Sequence, residues 1–162
     1  MSKFIIAVYV DNKAGVLTRV SSMFTRRGFN IDALTVGETE SPEYSRITIT
    51  LDGDERMCEQ LVNQMHKLYN VKKVEVLEDS IKRELMLIKV RNCSETRPDI
   101  LSAVEVYRAK VIDYNTDEMC IELTGESSKL DAFVKLMIPF GVLEMCRTGI
   151  VALERGSKTL FN

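Results

Sequence analysis

The chain reads as an α+β protein built from two βαββαβ units in tandem, and three observations predict it. Its 162 residues give room for one average domain or two small ones. Apolar periodicity switches between the strand and helix repeats in the order β-α-β-β-α-β. The same order then starts again, with Val10-Asp11-Asn12 answered by Val90-Arg91-Asn92 at an offset of eighty. Two such split β-α-β units, each a sheet with two helices on one face, describe a tandem ferredoxin-like architecture.

The elements follow in order. Residues 3–10 alternate as a strand, and Val16, Leu17, Val20, Met23 and Phe24 form one face of a helix that Gly28 stops. Residues 29–37 and 44–51 are β-branched-rich runs around a polar connection at 38–42, which predicts a hairpin. Asp52-Gly53-Asp54 opens a second helix with the stripe Met57, Leu61, Met65 and Leu68, and residues 71–77 close the unit as a strand. After a polar interval, residues 83–91 read as a strand. Thr96-Arg97-Pro98-Asp99 starts a helix buried through Ile100, Val104 and Tyr107. Strands are expected at 110–114 and 119–124 across the turn Asn115-Thr116-Asp117. Ser127 or Ser128 is expected to cap a helix with Leu130, Phe133, Val134 and Met137 inward, ended by Pro139 and Gly141. Residues 142–147 complete the second unit, and 148–162 form a tail with one short strand at 150–153. The domains are therefore expected at 1–78 and 83–162, with a linker at 79–82. Strand one is apolar on both sides, so the helix-free face of its sheet calls for association with another chain or unit.

Composition narrows the function classes. Apolar residues at 45% and charged residues at 28% describe a chain able to build a core. Lys+Arg 22 against Asp+Glu 24 leave a net charge of −2, which argues against attraction to nucleic-acid backbones. No apolar run approaches the roughly 20 residues that span a bilayer, and no secretory signal pattern opens the chain. Cys58, Cys93, Cys120 and Cys146 are widely spaced with no C-x-x-C pair, which predicts free thiols in a cytoplasmic protein and no metal site. His66 is the single histidine. Val62, Asn63 and Tyr69 are its helical neighbours, none an acid or nucleophile partner, so it reads as structural or surface rather than catalytic. Arg26-Arg27 complements the end of helix one, or contacts a partner subunit.

The loop after strand one, Asp11-Asn12-Lys13-Ala14-Gly15-Val16-Leu17, holds the main functional signal. A helix start offers unpaired N–H groups and a positive dipole end to an anion such as a carboxylate. Gly15 lets a ligand approach that backbone, and Asn12 can cap the helix or bond the ligand. Asn30, read as half-buried between Phe29 and Ile31 in strand two, needs a partner. A free amino acid meets all three, with its carboxylate at the helix start and its ammonium toward the adjacent strand. In the second unit Glu95 stands opposite Gly15 and would repel a carboxylate, so only the first loop is expected to bind one. The competing reading from another class is a small enzyme on the same fold, an acyl-phosphate hydrolase using Arg26 and Asn30. Lys13-Ala14-Gly15 makes a poor phosphate cradle for it.

Asp-Asn-x-x-Gly-Val-Leu-x-Arg-Val at 11–20, Arg-Gly-Phe-Asn-Ile at 27–31 and Ser-Arg-Ile-Thr-Ile at 45–49 resemble the amino-acid-binding ACT domain of the small, regulatory subunit of acetolactate (acetohydroxyacid) synthase. The resemblance continues through Gln64-Met65-His66-Lys67-Leu68, Arg83-Glu84-Leu85, Ser-Lys-Leu-Asp-Ala-Phe at 128–133, Arg147-Thr148-Gly149 and Glu154-Arg155-Gly156, so it covers essentially the whole chain. It implies an N-terminal ACT domain in a non-catalytic chain without cofactors of its own. The implied partner is a catalytic large subunit carrying thiamine diphosphate, magnesium and FAD, activated by this chain and made sensitive to valine, in some members to leucine or isoleucine. The resemblance also implies a homodimer with the effector held between ACT domains by Asn12, Ala14, Gly15, Val16 and Leu17 together with Asn30 and Ile31.

Overall fold

In the computed structural model, which describes residues 2–161, the alternating run at the start forms strand β1 (Ser2–Asp11). It is followed by α1 (Val16–Arg26), β2 (Ala33–Glu38), β3 (Tyr44–Gly53), α2 (Glu55–Met65) and β4 (Val71–Val76). The strands lie in the order β2-β3-β1-β4, and every neighbouring pair is antiparallel. This is the split β-α-β arrangement the periodicity predicts. Ile6, Val8 and Val10 of β1 and Ile47, Ile49 and Leu51 of β3 point to the helix side, where they pack with Val20, Phe24, Leu61 and Met65. Helix α2 starts on Asp54, whose carboxylate accepts from the Met57 N–H at 2.7 Å.

The second unit repeats the plan with β5 (Ser80–Arg91), α3 (Arg97–Val106), β6 (Lys110–Tyr114), β7 (Glu118–Gly125), α4 (Ser127–Met137), a 3-10 turn (Ile138–Phe140) and β8 (Val142–Arg147). Its strand order is β6-β7-β5-β8. Met86, Ile88, Val90, Met119 and Ile121 form its core with Ile100, Leu130 and Phe133. The expected serine cap of α4 is not made. Ser127 instead donates its hydroxyl to Glu84 at 2.9 Å, serving a buried acid whose need for a donor outweighs that of an exposed helix end. Arg147 grips the same carboxylate through two parallel bonds of 2.8 Å and reaches Asp131 at 2.6 Å. Hydrogen bonding from Arg147 holds the Glu84 carboxyl below the usual carboxylate range, and it outweighs the opposing effect of burial.

Three boundaries differ from the sequence expectation. The interval 79–82 is not a free linker, because β5 begins at Ser80. Strand β2 begins at Ala33 rather than Phe29, because residues 27–29 finish α1: the Arg27, Gly28 and Phe29 N–H groups all turn back to carbonyls of Phe24 and Thr25. The tail also belongs elsewhere. The chain divides into one compact unit of residues 2–81 with 150–161 and another of residues 82–149, so the tail groups with the first unit, although the strand it contains, β9 (Val151–Glu154), pairs with β5.

The cause is the doubly apolar β1. Ile5, Ala7 and Tyr9 point away from the helices, and the tail, with its own strand β9 (Val151–Glu154), buries them with Leu77, Ala152 and Leu160. Tyr9 stacks on Tyr44 and meets Phe161 edge-on, each at 4.9 Å between ring centres. Arg46 donates to the Ala152 carbonyl at 2.7 Å. The helix-free face expected to need another chain or unit is covered by this chain's own last residues.

Candidate functional site

The site is built where β1 ends. Asp11 is buried, its N–H donates to the Asn70 carbonyl at 2.9 Å, and Lys72 pairs with its carboxylate at 3.2 Å. Asn12 ties the loop to the hairpin: its N–H donates to Glu43 O at 2.8 Å, and its side-chain NH2 donates to Glu38 Oε1 at 3.1 Å and Pro42 O at 2.9 Å. Both amide hydrogens are thereby used, and Asn12 does not cap α1. Its Oδ1 is left as an acceptor.

Helix α1 starts from Gly15, which has φ +83° and gives no side-chain cap, and no acid lies in the first turn. The left-handed conformation explains the glycine. A Cβ built there would meet nothing within 4 Å, so the space over the helix start is open. The first intrahelical acceptor is Gly15 O, taken by the Arg19 N–H at 3.1 Å, and the Val16 N–H turns back to Lys13 O at 3.3 Å, which leaves the Leu17 and Thr18 N–H groups of the first turn without an intrahelical acceptor. Val16 is buried in the core and Leu17 is 42% exposed beside the opening. Asn12, Ala14, Gly15, Val16 and Leu17 lie side by side in this loop and first helical turn.

Asn30 and Ile31 are not brought to them. Both lie in the connection between α1 and β2, Asn30 exposed and Ile31 half-buried against the core. Their neighbour Asp32 pairs with Lys3 at 3.8 Å, at the opposite end of β1 from Asp11. Along a strand that separation is roughly 26 Å, several times the length of an amino acid. The half-buried strand position expected for Asn30 does not exist, because α1's own cap consumes residues 27–29. One chain cannot present both groups to one small ligand.

The second unit closes the corresponding loop. Asn92 is buried, its N–H donates to Asp117 O at 2.8 Å and its amide donates to Asn115 O, repeating the latch of Asn12. Its oxygen, however, accepts from Arg97 Nε at 2.7 Å. At the offset of eighty, Arg97 stands where the first unit has Leu17. The acceptor left open in the first loop is thus filled internally in the second. The arginine was visible in the sequence, but only its contact with Asn92 gives it meaning. The latch partners Glu38 and Pro42 left no signal beyond a polar hairpin connection.

Elsewhere the chemistry is sparse. His66 is exposed just past α2. The four cysteines are free thiols, and burial pushes the Cys58 thiol up. Among the described residues no cluster of three metal-ligating side chains occurs, and no helix is long and apolar enough to cross a membrane.

Comparison with known proteins accounts for both units. Residues 83–156 match the family model for the small subunit of acetolactate synthase, and residues 6–73 match that for the AHAS small subunit-like ACT domain. A probable acetolactate synthase small subunit of Archaeoglobus fulgidus is 46% identical over 96% of this chain and 99% of its own length. The acetolactate synthase small subunit of Mycolicibacterium smegmatis is 46% identical over 94% of this chain and 91% of its own. The crystal structure of the acetolactate synthase small subunit from Thermotoga maritima is 40% identical, with a TM-score of 0.92 covering 98% of this chain and 100% of that one. By this similarity over nearly its full length, the chain belongs to the acetolactate synthase small-subunit family.

Proposed function

We propose that this chain is the regulatory, non-catalytic subunit of an acetolactate synthase in branched-chain amino acid biosynthesis. It activates the catalytic large subunit, which carries the thiamine diphosphate, magnesium and FAD of the reaction, and confers feedback inhibition by valine in the cytoplasm. The observation that carries the reading is the opening over Gly15: an uncapped helix start with clear space above it and the unused Asn12 Oδ1 alongside. The effector's carboxylate takes the N–H groups left free in the first turn of α1, and its ammonium donates to Asn12 Oδ1.

The distance between the loop and Asn30 supports a homodimer as the working unit. Strand β2 is an edge strand, with Val36 exposed at 42%. Antiparallel pairing of two β2 edges about a two-fold axis sets α1 antiparallel to its copy. The start of one helix then lies beside the end of the other, so Gly15 of one protomer and Asn30 with Ile31 of its partner share one effector. Titration calorimetry with valine, on the chain alone and with the large subunit, tests the reading. Saturable heat with two equivalent sites per dimer is expected, together with valine-sensitive activity of the complex. Absence of heat at millimolar valine in both samples refutes it.

A further inference from the structure

The helical face of the first unit carries a groove of about 530 Å3 between α1 and the end of α2. Arg19, Ser22, Arg26 and Arg27 line one side, Gln64 and Lys67 the other, and half-buried Met23 and Leu68 lie among them. No acid lines it. Its four cations are exposed, and none joins an ion pair among the described residues. In a chain of net charge −2, this local excess has no internal use. Helix stability accounts for Arg26 in the last turn of α1, but not for Arg19, which stands near the positive end of the dipole where a cation is disfavoured.

We propose that this groove is the docking surface for an acidic segment of the catalytic large subunit, an inference that rests on the regulatory-subunit reading. A groove with cations along both walls and apolar side chains between them fits a peptide segment that brings carboxylates and a small apolar side chain. It is not shaped for a base, since no aromatic ring lines it. Its position supplies the coupling. Helix α1 begins at Gly15 and ends at the Arg27-Gly28-Phe29-Asn30 turn, so both proposed halves of the effector site bracket the helix whose outer ridge forms the groove wall. A ligand that draws on either end of α1 acts on the element the large subunit grips, and the two affinities are then linked reciprocally.

The test uses the full chain and the large subunit, with Arg19→Glu/Lys67→Glu as the variant and a circular-dichroism melt confirming its fold. Affinity is measured at about 50 and about 300 mM KCl, a range over which exposed charge attraction is strongly screened. The wild type is expected to bind more weakly at high salt, and the variant to bind at least about tenfold more weakly at low salt with little remaining salt dependence. Valine heat on the isolated variant is expected to match wild type. Unchanged large-subunit affinity in the variant overturns the proposal. So does binding of inorganic triphosphate that the variant loses while large-subunit affinity stays intact, which makes the groove a small-anion site. A change in the sedimentation of the variant alone also overturns it, as a contact between copies. Salt-dependent docking that the variant abolishes, in a wild type that gives no heat with valine, sustains the groove and refutes the effector reading instead. A wild type that binds no large subunit refutes both.

Discussion

Replacing Gly15 with aspartate separates effector binding from folding and from docking. A Cβ at position 15 meets nothing within 4 Å, so no clash is created. The backbone cost comes from φ +83°, on the order of 1 kcal/mol for a non-glycine residue, and aspartate is among the residues that tolerate it best. The electrostatic effect is larger. A carboxylate about 4 Å from the effector's carboxylate, in the intermediate dielectric of a protein surface, costs about 4 kcal/mol, which is roughly a thousandfold in affinity. Gly15→Asp is therefore expected to melt within a few degrees of wild type, to bind and activate the large subunit nearly as wild type does, and to require about a thousandfold more valine for inhibition. Gly15→Ala adds volume without charge and is expected to lose less. The assay is acetolactate formation by the reconstituted complex across a valine titration, with calorimetry on the small subunit in parallel. Inhibition by Gly15→Asp at valine concentrations within about threefold of wild type refutes the placement of the carboxylate at this helix start.

Asn12→Ala removes the hairpin latch and the free acceptor together, and is expected to weaken valine binding by about tenfold. Asn92→Ala, in the closed loop of the second unit, is expected to leave valine binding alone and to cost about 2 kcal/mol in urea unfolding, because it strands Arg97 and the Asn115 carbonyl. Glu84→Gln tests the buried carboxylate. Its pKa is lowered in the folded state, so its contribution is complete above the unfolded carboxylate's pKa and disappears as pH falls through the folded value. The gap in Tm between wild type and variant is expected to be widest near about pH 7, with a loss of about 2–4 kcal/mol, and to close toward about pH 3. Ending the chain after Gly149 bares Ile5, Ala7 and Tyr9 and is expected to give strong binding of a hydrophobic dye and association at micromolar concentration. A dye-silent monomer contradicts the covering role of the tail.

The element order was legible because each segment states its own period: Ile6, Val8 and Val10 at spacing two, and Val16, Val20 and Phe24 at helical spacing. The repeat and the Gly15 turn were legible for the same local reason. Contacts between distant residues were not. The apolar outer face of β1 announced that it needed cover, yet nothing in residues 150–161 says which sheet they cover. Phe29-Asn30-Ile31 has strand-like composition, and only the Phe29 N–H turning back to Phe24 O reveals that it closes a helix. From the sequence, Asn12 can either cap the helix or bond a ligand. Its partners Glu38 and Pro42, on a hairpin far along the chain, decide that its NH2 is a latch and its oxygen is free.

The return of residues 150–161 to the first unit makes the second unit an insertion, anchored at both ends. Joining Ile5 to Leu160 directly requires closing nearly the entire chain, an entropic cost that slows any contact of such high sequence separation. The second unit has a core of its own drawn from residues 82–149, and a compact unit in place of a flexible loop leaves far less free chain to close. Its folding thus shortens the search by which the tail finds the first sheet. Mutations that slow the second unit are for that reason expected to delay completion of the first, though they touch none of its residues.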